Sequence, residues 1–453
     1  MIAPARVAAF NILRALDSGR TDLPTALAAE REALSDDRDK ALAAEIATGV
    51  LRHRNSLDHL IATFAKRDLA RLDPEVINIL RLSAYQLLHL TRVPAAAVVD
   101  DAVDLTRRAK KKSASGFVNA ILRSLSRQRH ALPLPARPAD PANRDAALDY
   151  LSTRLSHPRW LAARWYDRLG FARAEQWMQF NNQPARLTLR ANRLKISPDA
   201  LAARLDRDDV VVEPGRWAPD ALIVTDGRAL QTDAAAEGAF VVQDEASQLV
   251  ALLAGPVPGP RVLDACASPG GKTTAMAAAM NGAGLVVACD VRDARIALLT
   301  RTIAASGATN IRVLQADVAR PLPFISGTFD CVLVDAPCSG LGTLRRDPDI
   351  RWRREASDLP ALSAAQGAML RHAAACVSAG GRLIYATCSS EPEENDDVAA
   401  AFLATTPAFT AVDARSIAGV PEAVVDERGR LRTSPDAHAL ECFFGAVFRR
   451  GTI

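Results

Sequence analysis

Val262-Leu263-Asp264-Ala265-Cys266-Ala267-Ser268-Pro269-Gly270-Gly271-Lys272-Thr273-Thr274 decides how this chain folds. It reads as a short apolar strand, a tight turn and the start of a helix. Gly270 and Gly271 let the backbone approach a ligand and leave amide N–H groups free at the helix N-terminus. A nucleotide-like ligand belongs there. A phosphate-binding P-loop needs G-x-x-x-x-G-K-[ST]. Gly271-Lys272-Thr273 supplies its end, but position 266 is Cys where that loop has Gly. No good Walker-B acidic strand end accompanies it, and the dinucleotide pattern G-x-G-x-x-G is absent.

Acidic residues further along favour a third ligand, S-adenosylmethionine. Asp290 ends the next strand, where a carboxylate can accept hydrogen bonds from both ribose hydroxyls. Asp317 ends the third strand, within reach of an adenine amino group, and Asp335 ends the fourth, beside the reacting centre. Three such carboxylates suit a ribose, an adenine and a sulfonium cation, and they would repel a polyphosphate. Any one of them alone could be only a helix cap.

From Gly238 onward, strand, turn and helix repeat. Strands are expected at 261–263, 285–288, 311–315, 329–334 and 382–385, with two more near 409–412 and 442–448. Ala-rich helices such as 273–280 and 292–305 separate them. This alternation predicts a mostly parallel, doubly wound sheet. Two strands end in cysteine motifs, Asp335-Ala336-Pro337-Cys338-Ser339-Gly340 and Ala386-Thr387-Cys388-Ser389-Ser390. Sites assemble at the carboxyl edge of a parallel sheet. Two thiols delivered there suggest a nucleophile with a second sulfur as its partner. All seven cysteines follow residue 265. An odd count confined to one half is a poor disulfide framework, and no finger spacing points to zinc. Cys289, Cys331 and Cys376 read as small core hydrophobes.

Upstream, residues 1–130 carry apolar residues at helical spacing, such as Ile46, Val50, Leu57, Leu60, Ile61 and Phe64. This predicts an all-α bundle. A Pro-rich linker is expected at 131–145. A helical stretch and a small α/β module follow over 146–236, leaving 237–453 as the catalytic region. At 453 residues, two or three domains are expected. The 49% hydrophobic and 24% charged content is that of a globular protein. No run is long and apolar enough for a membrane span, and the N-terminus does not read as a signal peptide, so a cytoplasmic location is the default. A net charge of +4 permits a nucleic-acid partner without demanding one. Two basic runs are better pointers. Arg107, Arg108, Lys110, Lys111 and Lys112 form one, which can equally be a solvated face. Arg345, Arg346, Arg351, Arg353 and Arg354, with Trp352 among them, form a candidate grip for a phosphate backbone and a stacked base.

Cys266 to Lys272, Asp335 to Gly340 and Thr387-Cys388-Ser389 together resemble the RNA cytosine-5 methyltransferases. Gln243-Asp244-Glu245-Ala246-Ser247 and Glu393-Glu394-Asn395 look like that family's flanking motifs, and the likeness spans roughly 150 to 450. Leu440-Glu441-Cys442-Phe443-Phe444 departs from it where relatives often carry Asp-Gly-Phe-Phe. The helical N-terminus resembles the NusB-type RNA-binding bundle. The resemblance implies a multidomain chain: a NusB-like bundle, a small RRM-like α/β module and a class I, Rossmann-like S-adenosylmethionine-dependent methyltransferase domain. It implies Cys388 as nucleophile, Cys338 as the group assisting proton removal and release, and Asp335 at the N3/N4 edge of the base. Lys272 contacts substrate or favours the thiolate. Cys266, Ala267, Ser268, Pro269, Gly270, Gly271, Lys272, Asp290, Arg295, Asp317 and Asp335 would hold S-adenosylmethionine. The domain combination implies small-subunit 16S rRNA, with a target of the cytosine 967 type. A tRNA or other rRNA enzyme, and a non-catalytic RNA-binding or assembly factor, are the alternatives.

Overall fold

The computed structural model describes residues 2–255 and 260–452. It divides into two compact units, one of residues 2–184 with 344–354, the other of residues 185–343 with 355–452.

The first unit is helical. Seven helices, Pro4–Asp17, Leu23–Ala33, Asp37–Arg52, Arg54–Ala65, Pro74–His89, Ala95–Arg108 and Ser115–Arg127, form a bundle. Its core gathers Phe10, Leu13, Ile46, Val50, Leu57, Leu60, Ile79, Leu80, Leu105 and Leu122. Pro74–His89 is buried on nearly every face from Val76 to Gln86, so it is the central helix. Pro74 fits the first turn, where its missing N–H costs nothing. The Pro-rich segment forms neither helix nor strand, but Leu132 and Leu134 pack on the bundle core and Arg137 pairs with Glu175. Helices Arg144–Asp149, Arg159–Leu169 and Phe171–Asn181 therefore join this unit, and the expected break near residue 146 lies instead at 184/185.

The second unit holds two sheets. The smaller runs β1 (Thr188–Ala191), helix Pro198–Asp206, β2 (Val211–Pro214), β3 (Ala221–Asp226), a short helix Asp233–Ala236 and β4 (Phe240–Val242). Its order is β2-β3-β1-β4, all antiparallel. This is a split βαβ topology. The sequence reading ended this module at 236. In the structure β4 pairs with β1 beyond that point, and a three-residue strand is too short to show alternation.

The larger sheet contains β5 (Arg261–Asp264), β6 (Leu285–Asp290), β7 (Ile311–Gln315), β8 (Phe329–Asp335), β9 (Val377–Thr387), β10 (Phe409–Val412), β11 (Leu431–Arg432) and β12 (Phe444–Arg450). The order is β10-β12-β9-β8-β5-β6-β7, with β11 on β12. β5 to β9 run parallel, and β12 inserts antiparallel between β9 and β10. Alternate residues face opposite helix layers. Ile384 and Ala386 of β9 join Leu249, Met276 and Leu299 on one side. Leu383 and Tyr385 join Leu370, Ala373 and Phe402 on the other. Strand order switches sides between β5 and β8, since β6 and β7 add on one flank of β5 and β8 on the other, so a crevice opens at their carboxyl ends.

Candidate active site

β5 delivers Asp264 and then the turn quoted at the outset. Gly270 sits at φ 106°, a left-handed conformation that a side chain would strain, and it opens helix Gly271–Ala279. Asp264 is buried and accepts from Thr273 Oγ1 at 2.7 Å through one oxygen. Its other oxygen has no partner. Burial first, then repulsion from Asp335, pushes this carboxyl up to about 7. Asp290, at the end of β6, accepts from Val291 N at 2.8 Å and Ser268 N at 3.2 Å, with Arg295 Nη1 3.7 Å away. It therefore braces the turn from the next strand. Ser268 Oγ donates to the Arg295 carbonyl. Asp317 lies beyond β7 and is partly exposed, accepting from Ala319 N. Burial holds the Cys266 thiol well above its ordinary range.

β8 and β9 run side by side, with Asp335 in register with Ala386. The loops beyond them bring Cys338 and Cys388 together, Sγ to Sγ 3.1 Å. The hydrogen bond to Cys388, then burial, raises the Cys338 thiol well above its usual value, so it keeps its proton. Gly342 lets the first loop close on the second: its N–H donates to the Cys388 carbonyl at 3.0 Å. A Cβ there would meet the Cys442 carbonyl oxygen at 2.2 Å. Lys272 Nζ lies 2.7 Å from Asp335 Oδ2 and 5.6 Å from the centre of the Phe443 ring. Burial works against the ammonium, but the attraction and hydrogen bond of Asp335 outweigh it, and its pKa rises. Lys272 is a cation held near Cys388. A carboxylate, an ammonium and two thiols thus meet at one crevice.

Behind the thiols lies a buried polar cluster that the sequence reading did not assign. Glu394 and Asn395, quoted only as a flanking motif, touch both cysteine loops, and Gln366 from helix Asp358–Ala375 donates to the Pro337 carbonyl and to Glu394. The usable signal was a carboxylate and an amide five and six positions after Ser389, too close in the chain to leave the neighbourhood of Cys388.

The second basic run is corrected at Arg345 and Arg351, which are buried, while Arg353 is exposed and Arg346 and Arg354 are half-buried. Arg351 is 0% exposed. Its guanidinium donates to Ser156 O at 3.0 Å, Asn182 Oδ1 at 2.9 Å and Asn181 O at 3.2 Å, with longer contacts to Arg52 O and Leu344 O. Trp352 Nε1 donates to Leu51 O at 2.6 Å, and its ring packs on the bundle core. Arg345 is 9% exposed, its guanidinium 4.2 Å from the Phe180 ring centre. Arg351 does not face solvent for a phosphate, and Trp352 is half-buried with its indole N–H already bonded to Leu51 O. The first run stays on the surface at the end of helix Ala95–Arg108. Arg107, Arg108 and Lys110 are exposed there, while Lys111 pairs with Asp73.

A parallel core sheet with an antiparallel β12, a glycine turn after its first strand and paired thiols at its carboxyl edge define a methyltransferase of the class I type. Three family profiles match in order: the NusB family over residues 3–127, a ferredoxin-like domain of RsmF/B-like methyltransferases over 157–231, and 16S rRNA methyltransferase RsmB/F over 251–449. The chain is 34% identical to ribosomal RNA small subunit methyltransferase B of Pseudomonas putida over 92% of each chain. It is 35% identical to the Klebsiella pneumoniae protein of that name, over 82% of this chain and 83% of the other. The crystal structure of PH0851 superposes with a TM-score of 0.82 at 25% identity, covering 99% of each chain. The chain belongs to the RsmB/F family of 16S rRNA methyltransferases. The expected three-part architecture holds: a NusB-like bundle, a ferredoxin-like module and a methyltransferase domain. Among the described residues no helix is long and apolar enough to cross a membrane.

Proposed function

We propose that this chain methylates carbon 5 of a cytosine in 16S rRNA through a covalent adduct between Cys388 and carbon 6. The observation that carries the reading is the 3.1 Å approach of two thiols beside the Lys272–Asp335 pair. S-adenosylmethionine fits the residues present. The left-handed turn at Gly270 opens a helix N-terminus, the Asp290 carboxylate ends the adjacent strand, and Asp264 leaves one buried oxygen without a partner. Residues 266–271, Asp290, Arg295, Asp317 and Asp335 would hold it. When bound, it supplies an electrophilic methyl group on a sulfonium sulfur.

Carbon 5 of cytosine is a weak nucleophile. Addition of the Cys388 thiolate to carbon 6 breaks the C5=C6 double bond and makes carbon 5 enamine-like. Lys272 favours the thiolate by its charge, and Asp335 hydrogen-bonds the N3/N4 edge. Once carbon 5 is methylated, its proton must leave. The electrons of that C–H bond re-form C5=C6, and the C6–S bond breaks with its pair returning to Cys388. Once the Cys388 sulfur is bound to carbon 6, it no longer holds the Cys338 proton as a thiolate would. Cys338 then gives that proton to water, its thiolate takes the one from carbon 5, and it thereby assists removal and release. A stacked base cannot present both faces, so the target nucleotide is unstacked in the site. The exposed Arg107, Arg108 and Lys110 serve as phosphate contacts.

The test is a pair of substitutions. Cys388→Ala abolishes methyl transfer while cofactor affinity stays near normal; retained turnover refutes the nucleophile. Cys338→Ala accumulates a protein–RNA adduct visible as a slow band on a denaturing gel. Absence of that band refutes the release role. Bisulfite sequencing of 16S rRNA from cells with and without the protein locates the cytosine.

A further inference from the structure

Glu394 is 0% exposed and lies on the short turn Pro392–Glu394. Its Oε1 accepts from Ser339 N at 2.8 Å and from Gln366 Nε2 at 2.9 Å. Its Oε2 accepts from the hydroxyls of Ser339 and Ser389. Ser339 follows Cys338 and Ser389 follows Cys388. Two loops fifty residues apart in the chain are thus gathered on one carboxylate, which meets four donors, the acceptor capacity of an ionised group. The next residue completes the grip on the second loop. Asn395 Nδ2 donates to the Ser389 carbonyl at 2.9 Å, and its Oδ1 accepts from Thr387 Oγ1, so both neighbours of Cys388 are held. Tyr385 Oη donates to the Glu394 carbonyl and locks the turn onto β9.

We propose that Glu394 is the positioning residue for both thiols, fixing their separation through the serine that follows each. It touches neither substrate nor cofactor. The proposal rests on the covalent reading above, in which Cys388 adds to the ring and Cys338 acts on the same adduct. A single brace keeps the two sulfurs in one register while the loops carry substrate. Its negative charge also helps the Cys338 thiol retain its proton, after the hydrogen bond to Cys388 and burial.

The decisive variant is Glu394→Gln in the full chain. It keeps the volume, but its amide NH₂ faces donors, so one loop loses its anchor. Roughly a 100-fold fall in kcat is expected, because misplacing a reacting group by an ångström costs about that much. KM for RNA and for S-adenosylmethionine stays within about threefold. A second readout needs no methylation. An azodicarboxamide oxidant takes two electrons and two protons from neighbouring thiols: two S–H bonds break, one S–S bond forms, and the N=N bond is reduced to a hydrazide. Peptide mass mapping follows the 338–388 cross-link, whose rate reports thiol juxtaposition and should fall about tenfold or more in the variant.

A folded Glu394→Gln protein with kcat and cross-linking within about threefold of wild type overturns the proposal. Slowed cross-linking in the variant, with a wild type that methylates no cytosine, overturns the covalent reading and leaves the brace standing. Where Glu394→Gln does not fold, Ser339→Ala, Ser389→Ala and the double variant decide. Both serines act through one carboxylate, so the double variant should lose little more activity than the worse single one. Independent, multiplying losses overturn the proposal.

Discussion

Replacing Arg351 by Met separates a structural arginine from an RNA-binding one. The guanidinium has no carboxylate among its hydrogen-bond partners. Three of its contacts are 3.2 Å or shorter, to Ser156 O, Asn182 Oδ1 and Asn181 O. Arg52 and Asn181 are the last residues of helices Asp37–Arg52 and Phe171–Asn181, whose terminal carbonyls lack partners within the helix. The negative ends of two helix dipoles meet the cation there. Each acceptor orphaned by Met costs about 1–3 kcal/mol. Against this stands the relief of no longer burying a charge, which here is large enough to push Arg351 down to about 9. The balance is a loss of roughly 3 kcal/mol.

Urea unfolding followed by tryptophan fluorescence reads that loss. Trp160, Trp165, Trp177 and Trp352 lie in the helical unit and only Trp217 lies outside it. With a denaturant slope of about 2–3 kcal/mol/M, the midpoint of that transition should drop by about 1–1.5 M. RNA binding by the folded variant gives the opposite control. An arginine on a phosphate would lower the log–log salt slope by about 1; a buried one leaves it unchanged. An unmoved urea midpoint together with a flattened salt slope would return Arg351 to the RNA surface and refute the capping account.

Three further outcomes are expected. Burial raises Asp264 to about 7, so between about pH 4 and about pH 7 the native state holds a proton that the unfolded chain has lost, and stability falls as pH rises through that window. Asp264→Asn removes this slope, on the order of 2–4 kcal/mol across it; parallel stability–pH curves for wild type and variant would show the carboxyl titrates normally. Asp290→Ala should weaken S-adenosylmethionine binding by roughly 10–100-fold in calorimetry, through lost ribose acceptors and a loosened Ser268 turn; unchanged affinity would leave Asp290 a cap alone. Reversing Arg107, Arg108 and Lys110 to Glu should weaken RNA binding and flatten its salt dependence by about 2 units, with kcat at saturating RNA preserved; an unaltered slope would make that run a solvated face.

Much of the catalytic sheet was legible because each of its elements signals locally. Strands β5, β6 and β8 are largely buried and read as apolar runs, and the Gly-Gly turn and cysteine motifs punctuate strand ends. The thiols' shared edge followed from parallel order alone. What stayed hidden was non-local. β4 is three residues long, and nothing in Phe240–Val242 announces that it will pair with β1. The Pro-rich segment predicted a tether, but Leu132 and Leu134 find the bundle core, a preference set by tertiary neighbours. Glu394 reads as one more charged residue in an acidic stretch until Ser339, Ser389 and Gln366 surround it.

The buried Arg351 of the second basic run shows why composition alone cannot separate binding from structure. A helical unit accumulates carbonyls at helix ends, and those ends need donors as much as a phosphate does. Residues 344–354, which join that unit only six positions after Cys338, supply them in series. Asp349 accepts from Leu23 N at the start of helix Leu23–Ala33, Arg351 caps two helices at their ends, and Trp352 reaches Leu51 O. An acidic residue at an N-terminus and basic or N–H donors at C-termini are the pairing that helix dipoles favour. Arg and Trp suit such a role for the reason they suit RNA: both are flat donors with wide apolar faces. Only the partners decide. Here they are carbonyls of the chain itself, so the segment after the Pro-Cys motif is built first to hold helices.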